Sequence, residues 1–232
     1  MKFKIILLLF LVSVFNGYSQ KKYFFDYIIA YKFQKNQTSK VELRYLLTNS
    51  KDNTYECAVS VEDDVNFDLG FRDEKGIWSN FIINKSEFFK AETISLSCES
   101  VHYQMENTDK YDSGVFDFIN KKDTLISDVY YKNYEMKFHN DRKAKKYNHG
   151  ISHYIIENNS EFHLPLMMFS SVYDYRVSSR DIPNGIAKLI YSLSYDKNEH
   201  ESIYKLLQFA KTNKFIIVPP ECDYTNPKVS KN

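Results

Sequence analysis

Glycine and proline are scarce in this sequence, with 6 and 5 among 232 residues, and no two glycines are adjacent. Phosphate-cradling loops and dinucleotide-binding turns both need closely spaced glycines, so neither is present. No G-x-S-x-G nucleophile elbow occurs either. His200 and Glu201 begin like a zinc-protease helix, but Tyr204 stands where that motif requires its second histidine. The familiar signatures of nucleotide-binding enzymes and of these hydrolases are therefore missing, and no catalytic residue is assigned.

The chain also lacks a charge excess of either sign, with 31 Lys and Arg side chains against 30 Asp and Glu. Nucleic-acid-binding proteins usually concentrate basic residues on one surface, because neutralising phosphates dominates their affinity. Here the lysines are scattered among acids. The one dense basic cluster, residues 142–146, follows Asp141 in a segment that resembles a polar turn. The sequence does not indicate a nucleic-acid partner.

The chain has 6 histidines, and their spacing does not favour a metal site. His149 and His153 are four residues apart in a segment typical of a strand, where such positions lie about 13 Å from each other. Two imidazoles that far apart cannot bind one ion. Glu161 and His163 are two residues apart and could share a strand face, although polar residues at a strand end are the simpler interpretation. We expect no metal and no cofactor.

Only three cysteines occur, Cys57, Cys98 and Cys222, so any single disulfide leaves one thiol over. Cys57 and Cys98 both fall on the apolar side of predicted strands. A disulfide between Cys57 and Cys98 and a pair of buried thiols both fit this pattern, and spacing alone cannot establish which cysteines are joined.

The first nineteen residues have the pattern of a cleavable signal peptide. Lys2 and Lys4 precede an unbroken apolar run over residues 5–15, and Gly17 and Ser19 supply the small residues that a signal peptidase recognises. The run has eleven residues, whereas a membrane-spanning helix needs about 20. We expect cleavage after residue 19, export, and no transmembrane segment in the mature chain, which lies in the periplasm, at the outer membrane or outside the cell.

Aromatic residues make up 16% of the chain, and hydrophobic alternation with a period of two is its dominant pattern. Both features favour β-strands. Four consecutive segments place apolar residues on one face, with short polar connections between them, which predicts an antiparallel meander. The apolar faces are Tyr23, Phe25, Tyr27, Ile29, Tyr31 and Phe33; Val41, Leu43, Tyr45 and Leu47; Tyr55, Cys57, Val59 and Val61; and Val65, Phe67, Leu69 and Phe71.

The same pattern continues less regularly to residue 195, with predicted strands over 77–83, 93–98, 114–119, 129–138, 151–157 and 187–195. Turn-forming clusters separate them, including residues 120–123 and 140–142. The predicted fold is mainly β, a single curved antiparallel sheet or open barrel of about ten strands. It forms one domain over residues 20–220, followed by a loosely held tail over 221–232.

One helix is predicted near the C-terminus. Asp196 and Glu199 have the spacing of a capping box, and Asn213 is suited to end the helix. Between them the apolar residues recur at helical spacing: Ile203, Leu206, Leu207 and Ala210. We expect this helix to cover part of the apolar face of the sheet, and a short strand over 214–218 to follow it.

One apolar segment is a candidate contact surface for a ligand or partner. It contains Leu166, Met167, Met168, Phe169 and Tyr173. Adjacent methionines beside aromatic rings form a soft, adaptable surface of the kind that contacts lipids or varied partners. An ordinary role in the core is the competing interpretation.

The leader ending in Gly17-Tyr18-Ser19 and the meander rich in Lys, Asn, Ile and Tyr resemble exported β-rich proteins of low-GC Gram-negative bacteria. The expected sheet with a covering helix is also similar in outline to the periplasmic lipoprotein carriers. The aromatic-rich strand face, the apolar segment at Met167 to Phe169 and the lack of a convergent catalytic group favour an exported, non-enzymatic protein of the cell envelope that binds an apolar ligand or a protein partner. Two alternatives stay open: a hydrolase whose acid and base residues are dispersed in sequence, and a structural surface protein without a ligand.

Overall fold

The computed structural model describes residues 20–103, 116–146, 148, 150–166, 182–196 and 199–222. These residues form twelve strands and two short helices. The strands are β1 (Lys21–Gln34), β2 (Glu42–Thr48), β3 (Tyr55–Val61), β4 (Asn66–Asp73), β5 (Ile77–Asn84), β6 (Thr93–Ser95), β7 (Val101–Tyr103), β8 (Phe116–Ile126), β9 (Val129–Phe138), β10 (Ser152–Ile156), β11 (Ala187–Leu193) and β12 (His200–Val218). The helices are α1 (Lys85–Lys90) and α2 (Asp141–Lys146).

All twelve strands belong to one sheet, in the order β7-β5-β4-β3-β2-β1-β12-β11-β10-β9-β8. The pairs along this order are antiparallel, which confirms a mainly β fold and the meander over β1 to β4. The sheet does not close on itself, because β7 and β8 form its two ends within the described part of the chain. β12 pairs with β1 along one side, and on the other side with β11 first and then, in parallel, with β6.

The first of two hydrophobic core clusters lies on one face of β2 to β5. Alternate residues of these strands point into it, and Phe88 of α1, Ile94 of β6 and Ile216 of β12 pack against them. Most of the apolar residues predicted for β3 and β4 are confirmed here, but Val61 and Val65 are 45% and 58% exposed. The residues of these two strands in the cluster are Cys57, Val59, Phe67, Leu69 and Phe71, each at most 3% exposed. On the face predicted for the second strand, Val41 is 50% exposed and lies outside the core.

The second core cluster lies among β1, β2 and β8 to β12, and Leu166, Ile182 and Ile186 pack into it from the connecting segment. β1 contributes to both clusters. Tyr23 and Phe25 belong to the first, whereas Ile29 and Tyr31 belong to the second. The change coincides with a register irregularity between Phe25 and Tyr27 in the pairing with β12. All six predicted apolar residues of this strand are buried, and four of them are divided between the two core clusters.

The predicted C-terminal helix is wrong: residues 200–218 form β12, the longest strand of the sheet. Ser194 N–H donates to the Glu199 carbonyl, so the expected cap residues form the turn that leads from β11 into β12. The physical reason is that both edges of β12 are paired: β12 pairs with β1 from Ile203 to Val218 and with β11 from His200 to Lys205. This ladder outweighs the local helical spacing of a few apolar residues.

Two predicted turns also differ from the structure. β8 continues through residues 120–123, which form an irregularity in its pairing with β9. The chain reverses instead at Ser127 and Asp128, whose φ angles of 49° and 65° form a left-handed two-residue turn that suits a hairpin. Residues 141 and 142 of the second predicted turn belong to α2, so the basic cluster lies in a short helix between β9 and β10.

The disulfide joins Cys98 to Cys222, and Cys57 is a buried free thiol. The expected pairing of Cys57 with Cys98 is therefore corrected. Cys57 lies on β3, in the middle of the first core, whereas Cys98 follows β6 and Cys222 follows β12, and these two strands are paired to each other. Cys222 is only 4% exposed, so the loosely held tail predicted from residue 221 does not include it. Residues 223–232 lie outside the described part.

Candidate functional site

The two faces of β2 to β5 differ sharply in exposure. One face is the first core, whereas most residues of the other are half-buried or exposed. We call this second surface the open face. It comprises Arg44, Ala58, Ser60, Asp68, Gly70, Arg72, Trp78, Asn80 and Ile82.

The strand register arranges the open face in rows that cross the sheet. Ser60 pairs with Arg44 on one side and with Asp68 on the other, which makes a charged row. In the next row Ala58 pairs with Gly70, and a Cβ on Gly70 would lie 3.3 Å from Asn80 Oδ1. Ala58 is partly buried against the second core, so the open face borders that core at β3.

Glu56 and Arg72 form the row on the other side of Ala58 and Gly70. Arg72 donates from Nε at 2.8 Å and from Nη2 at 2.5 Å, and both bonds end on Glu56 Oε1. Glu56 Oε2 is buried without a hydrogen-bond partner among the described residues. Burial raises the pKa of Glu56, and the Arg72 guanidinium opposes that rise. The Glu56 side chain is 10% exposed and that of Arg72 is 45% exposed, so the ion pair joins the interior to the surface.

Arg44 borders the open face beside two aromatic rings. Its guanidinium carbon lies 3.6 Å from the centroid of Phe33, and Nη1 donates to Tyr204 Oη at 3.4 Å. Burial raises the pKa of Tyr204, while the Arg44 guanidinium lowers it. Arg44 Nε is buried and has no hydrogen-bond partner in the described part of the chain. Contacts with the rings of Phe33 and Tyr204 therefore hold Arg44 in place, while its Nε–H makes no hydrogen bond to a described residue.

Trp78 and His102 occupy the far end of the row that begins at Glu56. The rings of these two residues stack with centroids 4.4 Å apart, and Trp78 is half-buried. On the same strand, Asn80 is exposed and Ile82 is 62% exposed. The open face therefore combines an aromatic ring, two guanidinium groups, a carboxylate and an exposed aliphatic side chain.

His163 lies where the open face meets the buried part of the sheet, and it is 1% exposed. Its Nδ1 faces the Leu164 carbonyl, which can only accept, so Nδ1 carries the proton in the neutral ring. Nε2 then accepts from Thr48 Oγ1 at 2.8 Å. Burial lowers the pKa of His163, and Asp26 and the Leu164 carbonyl act against this. The contact holds the segment around His163 onto β2.

A void of about 10 Å³ lies beside this pair, lined by Thr48, Asn53, Glu56, His163 and Leu166 among others. That space suffices for about one water molecule. The hydrogen bond between Thr48 and His163 is like that between the nucleophilic hydroxyl and the base of a hydrolase. The likeness ends there, because the void beside the two side chains is too small for a substrate in the described structure. The dispersed hydrolase site that the sequence left open is not found at this position.

The predicted contact segment is described only at its first residue. Leu166 is 4% exposed and packs in the second core, which matches the core interpretation of that residue. Met167, Met168, Phe169 and Tyr173 lie outside the described residues. No group of three or more potential metal ligands occurs among the residues that are described. Glu161 pairs with Lys132, and His163 uses both ring nitrogens on protein groups.

Sequence reasoning missed the open face, although its residues were visible as the polar side of the predicted strands. Glu56, Ser60, Asp68 and Arg72 occupy the positions opposite the apolar residues. A polar residue at such a position normally faces solvent, and alternation cannot distinguish a solvated face from a binding face. The partial burial of Glu56 depends on Thr48 and on His163, which is more than one hundred residues away in sequence.

No protein-family model matches the sequence, and a search of curated proteins found no match. Solved structures show weak likenesses. A chain of the Pseudomonas aeruginosa MucA/MucB complex is 8% identical with a TM-score of 0.38, over 82% of this chain and 52% of that one. A domain named for outer membrane lipoprotein sorting, from Vibrio parahaemolyticus, is 8% identical with a TM-score of 0.29, over 84% and 86%. A DUF1329 family protein from Desulfovibrio piger is 10% identical, also with a TM-score of 0.29, over 83% and 86%.

This chain spans about half the length of the MucA/MucB chain that it matches. TM-scores below 0.5 do not establish a shared fold, so these likenesses assign neither a family nor a site. The sequence led us to expect an outline similar to that of the lipoprotein carriers. The likeness to the lipoprotein-sorting domain is too weak to establish that similarity. No helix in the described part of the chain is both long enough and apolar enough to cross a bilayer.

Proposed function

We propose that this protein is exported to the cell envelope and acts there without catalysis, by binding a protein partner on the open face of β2 to β5. Export rests on the signal-peptide pattern of residues 1–19. β1 begins at Lys21, so cleavage after residue 19 removes no residue of the sheet.

The observation that carries the proposal is the composition of the open face. Arg, Trp and Tyr supply most of the binding free energy at protein interfaces, because they combine apolar area with hydrogen-bonding groups. Arg44, Arg72 and Trp78 lie on this face, and Tyr204 adjoins it. Asp68 adds a charge of the opposite sign, which allows complementary pairing with a partner.

The buried polar atoms at the margin of the open face support the same conclusion. Leaving a buried donor or acceptor unpaired costs about 1–3 kcal/mol, so such atoms are uncommon in the absence of a functional reason. Glu56 Oε2 and Arg44 Nε are both in this state. A protein surface docked here supplies polar groups and ordered water near both atoms.

A protein partner fits the geometry better than an apolar ligand. An apolar ligand needs an enclosed cavity of several hundred Å³ lined by hydrophobic side chains. Beside Glu56 the described residues enclose a void of about 10 Å³, and the second core is filled by Leu166, Ile182 and Ile186. Met167, Met168, Phe169 and Tyr173 are proposed as additional partner contacts, since they follow Leu166, which lines the same void as Glu56.

Site-specific photocrosslinking in the native envelope tests this proposal. A photoreactive amino acid at Asn80 or Ile82 places the probe on the open face, and the same probe at Leu207, which is 47% exposed on β12, serves as the control. We expect a discrete crosslinked protein from the first two positions and none from Leu207. Equal crosslinking from all three positions, or none from any, would contradict the proposal.

Once the crosslinked protein is identified, its affinity for variants of the open face checks the assignment of residues. Trp78→Ala and Arg44→Ala are expected to weaken binding by about tenfold or more each, as truncated anchors at interfaces do. Leu207→Ala is the matched control and should leave the affinity unchanged. Unchanged affinity in both open-face variants would move the interface elsewhere.

A further inference from the structure

The free edge of β6 has backbone groups that no other described strand uses. β6 pairs in parallel with β12, through Thr93 to Phe215, Ile94 to Ile216 and Ser95 to Ile217. Phe215 N–H donates to the Glu92 carbonyl at 2.7 Å, and Leu96 N–H donates to the Ile217 carbonyl at 2.9 Å. Main-chain groups alternate in direction along a strand, so the N–H and C=O of Ile94 also point towards β12.

The N–H and C=O groups of Thr93 and Ser95 therefore point to the opposite side, away from β12. Both residues are exposed, and the sheet contains no described strand on that side of β6. These four groups form two donors and two acceptors in the spacing of a strand edge. An edge of this kind is a template for pairing with another extended chain.

An open groove of about 500 Å³ runs along this edge. β6 forms one wall with Thr93, Ile94 and Ser95, while Ile83 at the end of β5 and the helix α1 form the other. Glu87 and Lys90 line the α1 side, so both signs of charge are present and neither dominates. The Lys214 ammonium donates to the Phe88 carbonyl at 2.5 Å and to the Ala91 carbonyl at 2.7 Å, which fixes the end of α1 beside the groove.

We propose that this groove binds an extended peptide segment of another protein, which adds as a strand to the edge of β6. The main-chain groups of Thr93 and Ser95 supply the hydrogen bonds, and apolar side chains at alternate peptide positions contact Ile83 and the α1 wall. A peptide strand is the occupant that matches the edge, because its own N–H and C=O groups repeat at the same spacing. The site is separate from the open face and does not rest on the function proposed for that face.

The first test uses short random linear peptides displayed on phage, selected against the full mature protein. A synthetic copy of the selected peptide is then added to isotopically labelled protein, and amide exchange is followed residue by residue. We expect the amides of Thr93 and Ser95 to become protected on binding, while the amide of Ile94, already bonded to β12, changes little. Failure to select any peptide, or protection that does not include Thr93 and Ser95, would overturn the proposal.

Amide exchange measured on the protein without peptide gives a second test. If the amides of Thr93 and Ser95 are already protected without peptide, a segment of this chain occupies the edge and the proposal is wrong. Exposed amides in the free protein are the expected result.

A backbone variant separates strand addition from side-chain binding. Ser95→Pro removes the N–H that points into the groove, and an outward-facing edge position tolerates proline. We expect roughly tenfold weaker peptide binding, because the partner carbonyl loses its donor. Ser95→Ala retains the N–H and should bind as the wild type does. Undiminished binding by a folded Ser95→Pro variant would overturn the proposal.

The peptide itself provides a test that needs no change to the protein. N-methylation at one residue of the selected peptide removes a donor that faces β6, whereas N-methylation at the next residue removes a donor that faces away. Binding should be lost for methylation at every second position and kept at the others. Equal effects at neighbouring positions would exclude strand addition.

Discussion

Arg72 binds Glu56 through one carboxylate oxygen only. Nε and Nη2 both donate to Oε1, and Oε2 is left buried without a partner in the described structure. A two-oxygen contact would satisfy the carboxylate more fully, since a guanidinium can bind both oxygens in parallel. The arrangement leaves Glu56 less stabilised in its charged form than its ion pair suggests, which agrees with its raised pKa.

Glu56→Gln tests this consequence through pH. A carboxyl whose pKa is raised by folding contributes stability below its ordinary pKa of 4.5, and that contribution is lost as the pH rises through the folded-state pKa. As the pH rises from 4 to 8 we therefore expect the wild type to lose stability relative to Glu56→Gln. Urea unfolding of both proteins across this range measures the difference, and parallel curves would show that Glu56 does not titrate abnormally.

His163 should change the stability of the fold with pH in the direction opposite to Glu56. Its pKa is lowered by burial, so its neutral form contributes stability above pH 6.5, and that stability is lost as the pH falls through the folded-state pKa. His163→Gln cannot titrate. We expect the wild type to lose stability relative to this variant between pH 7.5 and pH 5. Urea unfolding of the wild type and of His163→Gln across this range measures the difference, and parallel stability profiles would contradict the prediction.

The disulfide assignment predicts a simple labelling result. Alkylation of the denatured, unreduced protein should modify Cys57 alone, and peptide mass mapping should find Cys98 joined to Cys222. In the native protein Cys57 should react very slowly, since burial raises the pKa of its thiol and blocks access. A crosslink that contains Cys57 would contradict the structure.

Removing the disulfide should cost substantial stability. The two cysteines are 124 residues apart, and closing a loop of this length restricts the unfolded chain by an amount worth about 2–5 kcal/mol. Cys98→Ser with Cys222→Ser is expected to lower the free energy of unfolding by that amount. Cys57→Ala leaves the disulfide intact and should cost less. A double variant as stable as the wild type would show that this bond does not stabilise the fold.

The identity of β12 as a strand can be tested at Ala210, an exposed position paired with Ile28. Valine is favoured over alanine in strands and disfavoured in helices. We expect Ala210→Val to leave stability unchanged or to raise it by up to about 1 kcal/mol, and Ala210→Gly to lower it. A loss of stability in the valine variant, measured by thermal and urea unfolding, would favour the helix that the local pattern predicted.

Much of the sheet could be predicted because period-two alternation is a local property. Most of the residues that alternate in β1, β3 and β4 are buried in the structure, and the connections over residues 49–54 and 62–65 contain turn-forming polar residues. The candidate site could not be predicted in the same way. Glu56 and Arg72 appeared only as the polar side of two strands, and nothing local shows that one becomes buried while the other stays exposed.

The amino-acid pattern by itself determined that this chain forms a β-sheet and which residues of its first strand are apolar and buried, because backbone geometry places alternate side chains on opposite faces. Tertiary structure alone decided the rest. Residues 200–218 form a strand because β1, β11 and β6 supply their hydrogen bonds, and Cys98 meets Cys222 because β6 lies beside β12. Each of these outcomes depends on contacts between residues far apart in sequence, whose free energy exceeds the local preferences that the pattern expresses.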